Sequence, residues 1–346
     1  MILHLLWTID SIYSKNFKGF VERHYGSDKH KFVVLNSASD SEVPGVVYFD
    51  CNSIKKCLEI VRLINRSEKT IVHGIFMKAP LAVILSVLAN GNKMSWMIWG
   101  ADLYNWKNNN HGIKAKISNL IQKRLRKKCK TVIISFASDK NEYIKQFGYP
   151  FKFFYAHYVL PYSSYEIEQN FIEKNDKVLN ILIGNSANKE LRHIEILKLL
   201  KEKQREDIKI HIPLNYGDRA YGDEVETIAK NMFGNKAICY RENIPIDKYI
   251  KLLWKMDIAV FYTNRQIALG NIVMLLYMGK EIYMERGTTM YECLKEYGID
   301  IKDIEDIGEA VYNTQDKYQK RNNNRYICER LDIEKIKCQW DTVFES

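Results

Sequence analysis

Along the chain, short runs of apolar and β-branched residues alternate with longer runs whose apolar positions recur every three or four residues. The short runs predict strands at 2–7, 31–35, 46–50, 70–76, 94–99, 131–136 and 152–156, and the longer runs predict helices at 52–66, 78–90, 112–129 and 139–147. Strands separated by helices pair in parallel, so this half reads as an open α/β sheet with helices on its faces. After Pro161 the periodicity lapses in Tyr162-Ser163-Ser164-Tyr165 and a polar, acidic stretch to Asp176, which reads as an interdomain linker.

The alternation then restarts, with strands at 178–183, 208–212, 236–240, 258–262 and 281–284 and helices at 188–205, 221–232, 246–256, 270–279 and 289–297. Two α/β domains of the Rossmann-like kind follow, residues 1–160 and 177–304, with a helical tail over 305–346. In that tail Ile336, Trp340 and Phe344 stand four residues apart, which predicts a helix docked back toward the first domain.

Composition narrows the picture. The 346 residues are 46% hydrophobic and 27% charged, enough to bury two cores. The apolar runs at 1–7 and 81–88 stop short of membrane-spanning length, and the N-terminus lacks the basic start and cleavage site of a secretory signal, so the protein is expected to stay on the cytosolic side. Cys51, Cys57, Cys129, Cys239, Cys293, Cys328 and Cys338 are scattered and read as reduced thiols. No H-E-x-x-H and no D-x-D triplet occurs, so neither a metal nor another cofactor is expected. The net charge of +10 points to an anionic partner.

Five strand-to-helix turns carry candidate chemistry. His73, in His73-Gly74-Ile75-Phe76, and Asp102, in Trp99-Gly100-Ala101-Asp102, follow strands at the edge where open α/β sheets bind ligands, and either can serve as a general base there. A turn or cap role is the plainer reading of both. Gly184-Asn185-Ser186 presents backbone N–H groups before a helix, suited to an anion, although Asn and Ser also simply cap helices. Arg265, Gln266, Gly270 and Asn271 combine a cation, an amide and a helix start, which suits a nucleotide diphosphate whose charge no metal balances; a solvated surface loop is the alternative. Tyr216, in the turn after 208–212, is placed to stack on a base or merely to pack, and Asp247 and Tyr249 open the next helix as a cap and a core residue.

Eight of the ten surplus charges sit between Lys114 and Lys130, a stretch without an acidic residue. Ile113, Ile117, Leu120, Ile121 and Leu125 form an apolar stripe on the same helix, which suits either a helix lying on anionic lipid headgroups or a stripe that belongs to the core, and both hold at once with the stripe inward. Lys123, Arg124, Lys127 and Lys128 then face outward toward an anionic membrane surface and the lipid of an acceptor. No helix-turn-helix, RNP-type strand or zinc finger accompanies the patch, so nucleic acid is not expected as a partner.

The stretches HGIF (73–76), WMIWGADLY (96–104), ILIGNS (181–186), IPLNYG (212–217), IDKYIKLL (246–253) and NRQIALGN (264–271), in this order and spacing, resemble one family. It comprises the transferases that add N-acetylfucosamine (4-acetamido-4,6-dideoxygalactose) from its dTDP donor to lipid II in enterobacterial common antigen synthesis, the 4-alpha-L-fucosyltransferases of glycosyltransferase family 56. The resemblance covers both domains. It implies the GT-B fold, two Rossmann-like domains with parallel sheets facing across a cleft, acceptor bound by the first and nucleotide sugar by the second without metal. It also implies a hexosyltransferase attached peripherally to the cytoplasmic face of the bacterial inner membrane, with an undecaprenyl-diphosphate-linked saccharide as acceptor. Ala187-Asn188 stands where the family continues with Gly-Asp, Ile267-Ala268-Leu269-Gly270-Asn271 departs from its Q-G-I-G-T, and Glu285-Arg286-Gly287-Thr288-Thr289 also differs. These departures surround the donor position and leave an O-antigen or capsule pathway open. Two other classes stay open: a non-catalytic lipid-carrier adaptor and a nucleic-acid-binding protein.

Overall fold

The computed structural model describes the chain except residues 36–42, 108–109, 111, 175–176, 204–205, 264–266 and 310–324, and the side chains of 308 and 309. The chain divides into two compact units, Met1–Pro161 with Ile333–Ser346, and Tyr162–Asp332.

The first unit holds strands β1 (Ile2–Leu6), β2 (His30–Val34), β3 (Val46–Tyr48), β4 (Lys69–His73), β5 (Met94–Met97), β6 (Thr131–Ile134) and β7 (Lys152–Tyr155). Its helices are α1 (Ile12–Tyr25), α2 (Ile54–Arg66), α3 (Leu81–Leu88), α4 (Ala101–Tyr104), α5 (Ile113–Lys128) and α6 (Ala137–Phe147). All strand pairs are parallel, in the order β3-β2-β1-β4-β5-β6-β7. Because strand side chains alternate, Leu3 and Leu5 of β1 enter one core with Cys57, Ile60 and Ile64 of α2, Leu81 and Leu85 of α3, and Leu125 of α5. Leu6 enters the opposite core with Phe17, Phe20 and Val21 of α1.

The second unit holds β8 (Leu179–Ile183), β9 (Ile208–Pro213), β10 (Ala237–Tyr240), β11 (Ile258–Val260), β12 (Glu281–Met284) and β13 (Ile301–Asp303). These also pair in parallel, in the order β10-β9-β8-β11-β12-β13. Its helices are α7 (Ser164–Gln169), α8 (His193–Glu202), α9 (Arg219–Phe233), α10 (Ile246–Lys255), α11 (Leu269–Tyr277), α12 (Thr289–Glu296) and α13 (Arg325–Leu331).

Four elements depart from the sequence reading, the one-turn helix α4 among them. Helix α1 is absent from it because the buried positions are Ser14, Phe17, Lys18, Phe20 and Val21, a line too polar and aromatic to show as an aliphatic stripe. Strand β13 is three residues long, and two of them, Lys302 and Asp303, are charged. The segment read as linker contains α7, started by a capping box in which Ser163 accepts from the Glu166 backbone and Glu166 accepts from that of Ser163. Buried Ile167 and the bond from Trp254 Nε1 to its carbonyl (3.0 Å) fix that helix within the second unit.

The last helix, α14 (Ile333–Glu345), belongs to the first unit although 171 residues separate it from Pro161. Ile336, Trp340 and Val343 fill the core that α1 leaves half covered, and Trp340 Nε1 donates to the His157 carbonyl at 2.7 Å. The predicted stripe holds at Ile336 and Trp340, while Phe344 lies edge-on against the His4 and His30 rings. Lys69 Nζ donates to the carbonyls of Val343 and Phe344, satisfying orphan acceptors at the helix end. No helix among the described residues is long and apolar enough to cross a membrane.

Trp340 is fully buried and hydrogen-bonded, so Trp340→Ala removes both packing and a donor. The expected cost is about 3–5 kcal/mol, read as a lowered urea midpoint of the first unit's unfolding transition, with the second unit's transition unmoved.

Candidate functional site

In the first unit the strand order reverses between β1 and β4, and a doubly wound sheet opens its ligand crevice at that switch point, outside the carboxyl ends of the strands. The segments there are Trp7-Thr8-Ile9-Asp10 after β1 and Gly74-Ile75-Phe76 after β4. Gly74 has φ +77°, and a Cβ on it would lie 2.3 Å from the Phe76 ring, so the turn admits only glycine. Asp10 is exposed; its carboxylate accepts from Thr8 Oγ1 at 3.0 Å, and its backbone N–H donates to that same hydroxyl at 3.1 Å.

Asp102, in the one-turn helix α4, is 1% exposed. Its Oδ2 accepts from Trp96 Nε1 (2.6 Å) and Ile75 N–H (3.0 Å), and its Oδ1 accepts from Trp99 N–H (2.9 Å). Arg126 of α5, equally buried, donates to the carbonyls of Asp102 (3.0 Å) and Ile75 (2.9 Å) and lies over the rings of Trp96 and Trp106. Burial pushes the Asp102 carboxyl above its ordinary range, against the pull of the three donors and the Arg126 charge. The same burial brings Arg126 down to about 10, with Asp102 opposing.

His73 is equally enclosed, and it belongs to a row of imidazoles. His30 Nδ1 meets His4 Nε2 at 2.9 Å, His4 Nδ1 meets His73 Nε2 at 2.9 Å, and His73 Nδ1 meets the Tyr158 hydroxyl, which accepts from Trp99 Nε1 at 2.9 Å. One set of neutral tautomers satisfies the row, each ring donating to the next from Tyr158 toward His30; this is an assignment from the network. Burial holds His73 down at about 3 and His30 at about 4, and lowers His4 far below its ordinary value. Asp102 and His73, the two residues expected as general base, are thus both buried in this geometry, Asp102 holding the Ile75 and Trp99 backbone and His73 set between His4 and Tyr158.

In the second unit the switch point lies between β8 and β11. Gly184, at φ +60°, donates its N–H to the Val260 carbonyl (2.9 Å), and a Cβ there would sit 2.7 Å from His193 Nε2. His193 is fully buried and Nε2 has no partner. Asn185 Nδ2 donates to the Tyr216 hydroxyl, while Asn185 Oδ1 is buried without a partner. Ser186 is buried beside it. Gly217 closes the neighbouring turn, where a Cβ would strike the Ala187 carbonyl at 2.6 Å. Gly184, Asn185, Ser186 and half-exposed Tyr216 thus form one surface, beside a pocket of about 290 Å³ whose lining includes Tyr216, Arg219 and Arg241.

Gly270 and Asn271 lie in the first turn of α11, which Ala268 opens at φ +60°; the Gly270 carbonyl accepts from Tyr162. Arg265 and Gln266 lie outside the described residues. Sequence reasoning passed over a charged group at the same edge. Arg192 lies 3.6 Å over the Tyr262 ring and donates to Glu285 at 3.0 Å and Glu195 at 2.8 Å, and the Tyr262 hydroxyl donates to Glu285 at 2.9 Å. The available signal was position, since Glu285 directly follows β12 as Phe261-Tyr262 follows β11.

On α5, Lys123, Arg124 and Lys127 are exposed, whereas Lys128 Nζ donates to the carbonyls of Ser86 (3.1 Å) and Val87 (2.8 Å) and ties α3 to α5. The apolar stripe is split, with Leu125 in the core and Ile121 packed against it. Ala115, Leu125 and Arg126 form the inward line, and Ile113, Ile117 and Leu120 face solvent.

Residues 15–325 match the model of the 4-alpha-L-fucosyltransferases, glycosyl transferase group 56. The chain belongs to that family and is a glycosyltransferase. Among solved structures it is similar to a glycosyltransferase from Rickettsia africae ESF-5 (12% identity, TM-score 0.68, 99% of this chain and 97% of that one). Anabaena HepE in complex with UDP-glucose matches at 11% identity and TM-score 0.69, over 100% of this chain and 99% of that one. The α,α-trehalose-phosphate synthase (UDP-forming) of Burkholderia vietnamiensis matches at 8% and 0.65, over 100% and 96%. At these identities the likeness is one of fold, GT-B with two parallel-sheet domains.

The histidine row makes stability pH-dependent. His4, His30 and His73 have folded values below the ordinary 6.5, so the unfolded chain binds more protons and their contribution, full above 6.5, is lost as pH falls toward 4 and 3. Asp139, raised by burial to about 7, and Asp102 act in the opposite direction, and the three imidazoles outnumber them. The urea midpoint of the first unit should fall between pH 7 and pH 5, and fall less steeply in His30→Gln; equal slopes in the two proteins would contradict the assignment.

Proposed function

We propose that this group 56 glycosyltransferase moves a hexose, of the deoxy or N-acetylamino kind and carried on a dTDP donor, to an undecaprenyl-diphosphate-linked saccharide at the cytoplasmic face of the inner membrane. The product would belong to a cell-surface polysaccharide such as common antigen, O-antigen or capsule. The observation that carries the donor half is the β8 turn, where Gly184 is forced by His193 and the buried Asn185 Oδ1 lacks a partner at a switch point. A buried acceptor without a donor is satisfied when a ligand supplies one.

The nucleoside diphosphate lies on the Gly184-Asn185-Ser186 turn and the start of α11 at Gly270 and Asn271, with Arg265 and Gln266 supplying charge and amide and Tyr216 stacking on the base. Glu285, oriented by Arg192 and Tyr262, accepts from hydroxyl groups of the donor. Fixed donors aimed at the departing diphosphate lower the barrier without a metal. The acceptor hydroxyl lies at the β1 and β4 ends of the first unit, where Asp10 is the exposed carboxylate of the switch-point segments. Its oxygen bonds the anomeric carbon, the bond to the diphosphate breaks with its electrons on the leaving oxygen, and Asp10 takes the proton.

Thermal shift against a panel of nucleoside diphosphate sugars should show the largest stabilisation with a dTDP sugar, since only a ligand of the native state raises its midpoint. No shift with any member would sink the donor reading. With a matched donor and acceptor, Asp10→Asn should lower kcat by roughly 10²–10⁴-fold while leaving the thermal midpoint and donor affinity unchanged. Asp102→Ala should instead lower the midpoint, because it strands three buried donors.

A further inference from the structure

Residues 69–138 hold twelve lysines and arginines and one acidic residue, Asp102, which is buried. That segment alone has a formal charge of +11, one more than the whole chain, so the protein's positive excess is confined to it. Within it, α5 turns an unpartnered apolar line outward: Ile113 is 77%, Ile117 53% and Leu120 69% exposed, at the four- and three-residue spacing of one helix face. Helix α3, packed against α5, adds exposed Val83, Val87 and Leu88. A groove of about 480 Å³ beside them is lined by Ser86, Leu120, Lys123, Arg124, Lys127 and Lys128. A soluble surface gathers aliphatic side chains in this way where something covers them.

We propose that the α3–α5 face docks on an anionic lipid bilayer, with Ile113, Ile117, Leu120, Val83, Val87 and Leu88 entering the headgroup boundary and Lys114, Lys116, Lys123, Arg124 and Lys127 meeting lipid phosphates. Charge selects the occupant. A second copy of the chain would set this cationic face against itself, and a nucleic acid would neutralise the cations yet leave six aliphatic side chains in water. An anionic bilayer satisfies both kinds of group at once. The buried side of the same helix places Arg126 on the Ile75 and Asp102 carbonyls, so the docked element also holds the acceptor edge of the first unit. The inference deepens the proposed function by naming the surface at which a lipid-linked acceptor is met, and rests on it for that purpose.

The test is co-sedimentation of the full chain with vesicles of phosphatidylethanolamine and phosphatidylglycerol, against pure phosphatidylcholine. The native protein should bind the anionic vesicles at moderate salt and leave the neutral ones. Lys123→Glu/Arg124→Glu/Lys127→Glu should lower partitioning on the order of a hundredfold. Ile117→Ser/Leu120→Ser, exposed positions whose change leaves the charge and the fold intact, should lower it about tenfold or more. Absence of native binding to every vesicle, or undiminished binding of the serine variant, overturns the proposal. So does a concentration-dependent dimer that Leu120→Glu abolishes, which would assign the face to a second copy. Transfer to a water-soluble short-chain acceptor should be unchanged in the serine variant; no transfer by the native protein, with vesicle binding intact, would remove the function reading and leave the docking face standing.

Discussion

The first unit depends on a carboxylate held out of water. Asp102 binds two backbone N–H groups, at Ile75 and Trp99, and one indole, at Trp96, and so joins the ends of β4 and β5 to α4. Burying a charge is costly, and the cost is met only when each lone pair has a well-placed donor and a countercharge stands near. Arg126 supplies the countercharge and spends its own donors on the carbonyls of the same two segments, between two tryptophan rings. Removing Asp102 strands its three donors, and removing Arg126 takes away the opposite charge and the donors to the Ile75 and Asp102 carbonyls.

That clamp shapes what the carboxyl edge can do. A side chain locked by three donors fixes geometry, and chemistry at the edge falls to groups that water and substrate reach. The imidazole row behaves alike: three rings stacked beneath α14 stay neutral because burial disfavours their charged form, and their hydrogen bonds tie β2, β1 and β4 across the sheet. In the second unit the balance is reversed. There the Gly184 turn is shaped by steric exclusion against His193, and Asn185 Oδ1 is buried without a hydrogen-bond partner.

Helix α5 links the two kinds of constraint. Arg126 and Leu125 point inward to the clamp and core, while isoleucines, Leu120 and a row of lysines point outward. One helix thus serves interior rigidity on one side and an exposed, charged and apolar face on the other.

The sequence by itself determined the alternation of strands and helices, the two α/β units, the placement of Gly184 and Asp102 at strand ends, and the family likeness. These are local properties: period, turn chemistry and order along the chain. Which face of α5 meets the core was decided by tertiary structure, because its apolar positions wrap far enough around the helix that Leu125 with Arg126 and Ile117 with Leu120 compete for the inward side. The role of Asp102 was also hidden, since a carboxylate after a strand looks the same in sequence whether it meets solvent or three donors. Helix α1 and the grouping of Arg192, Tyr262 and Glu285 escaped for a related reason. Their partners are brought together by sheet order, and sheet order is set by packing of residues far apart in the chain.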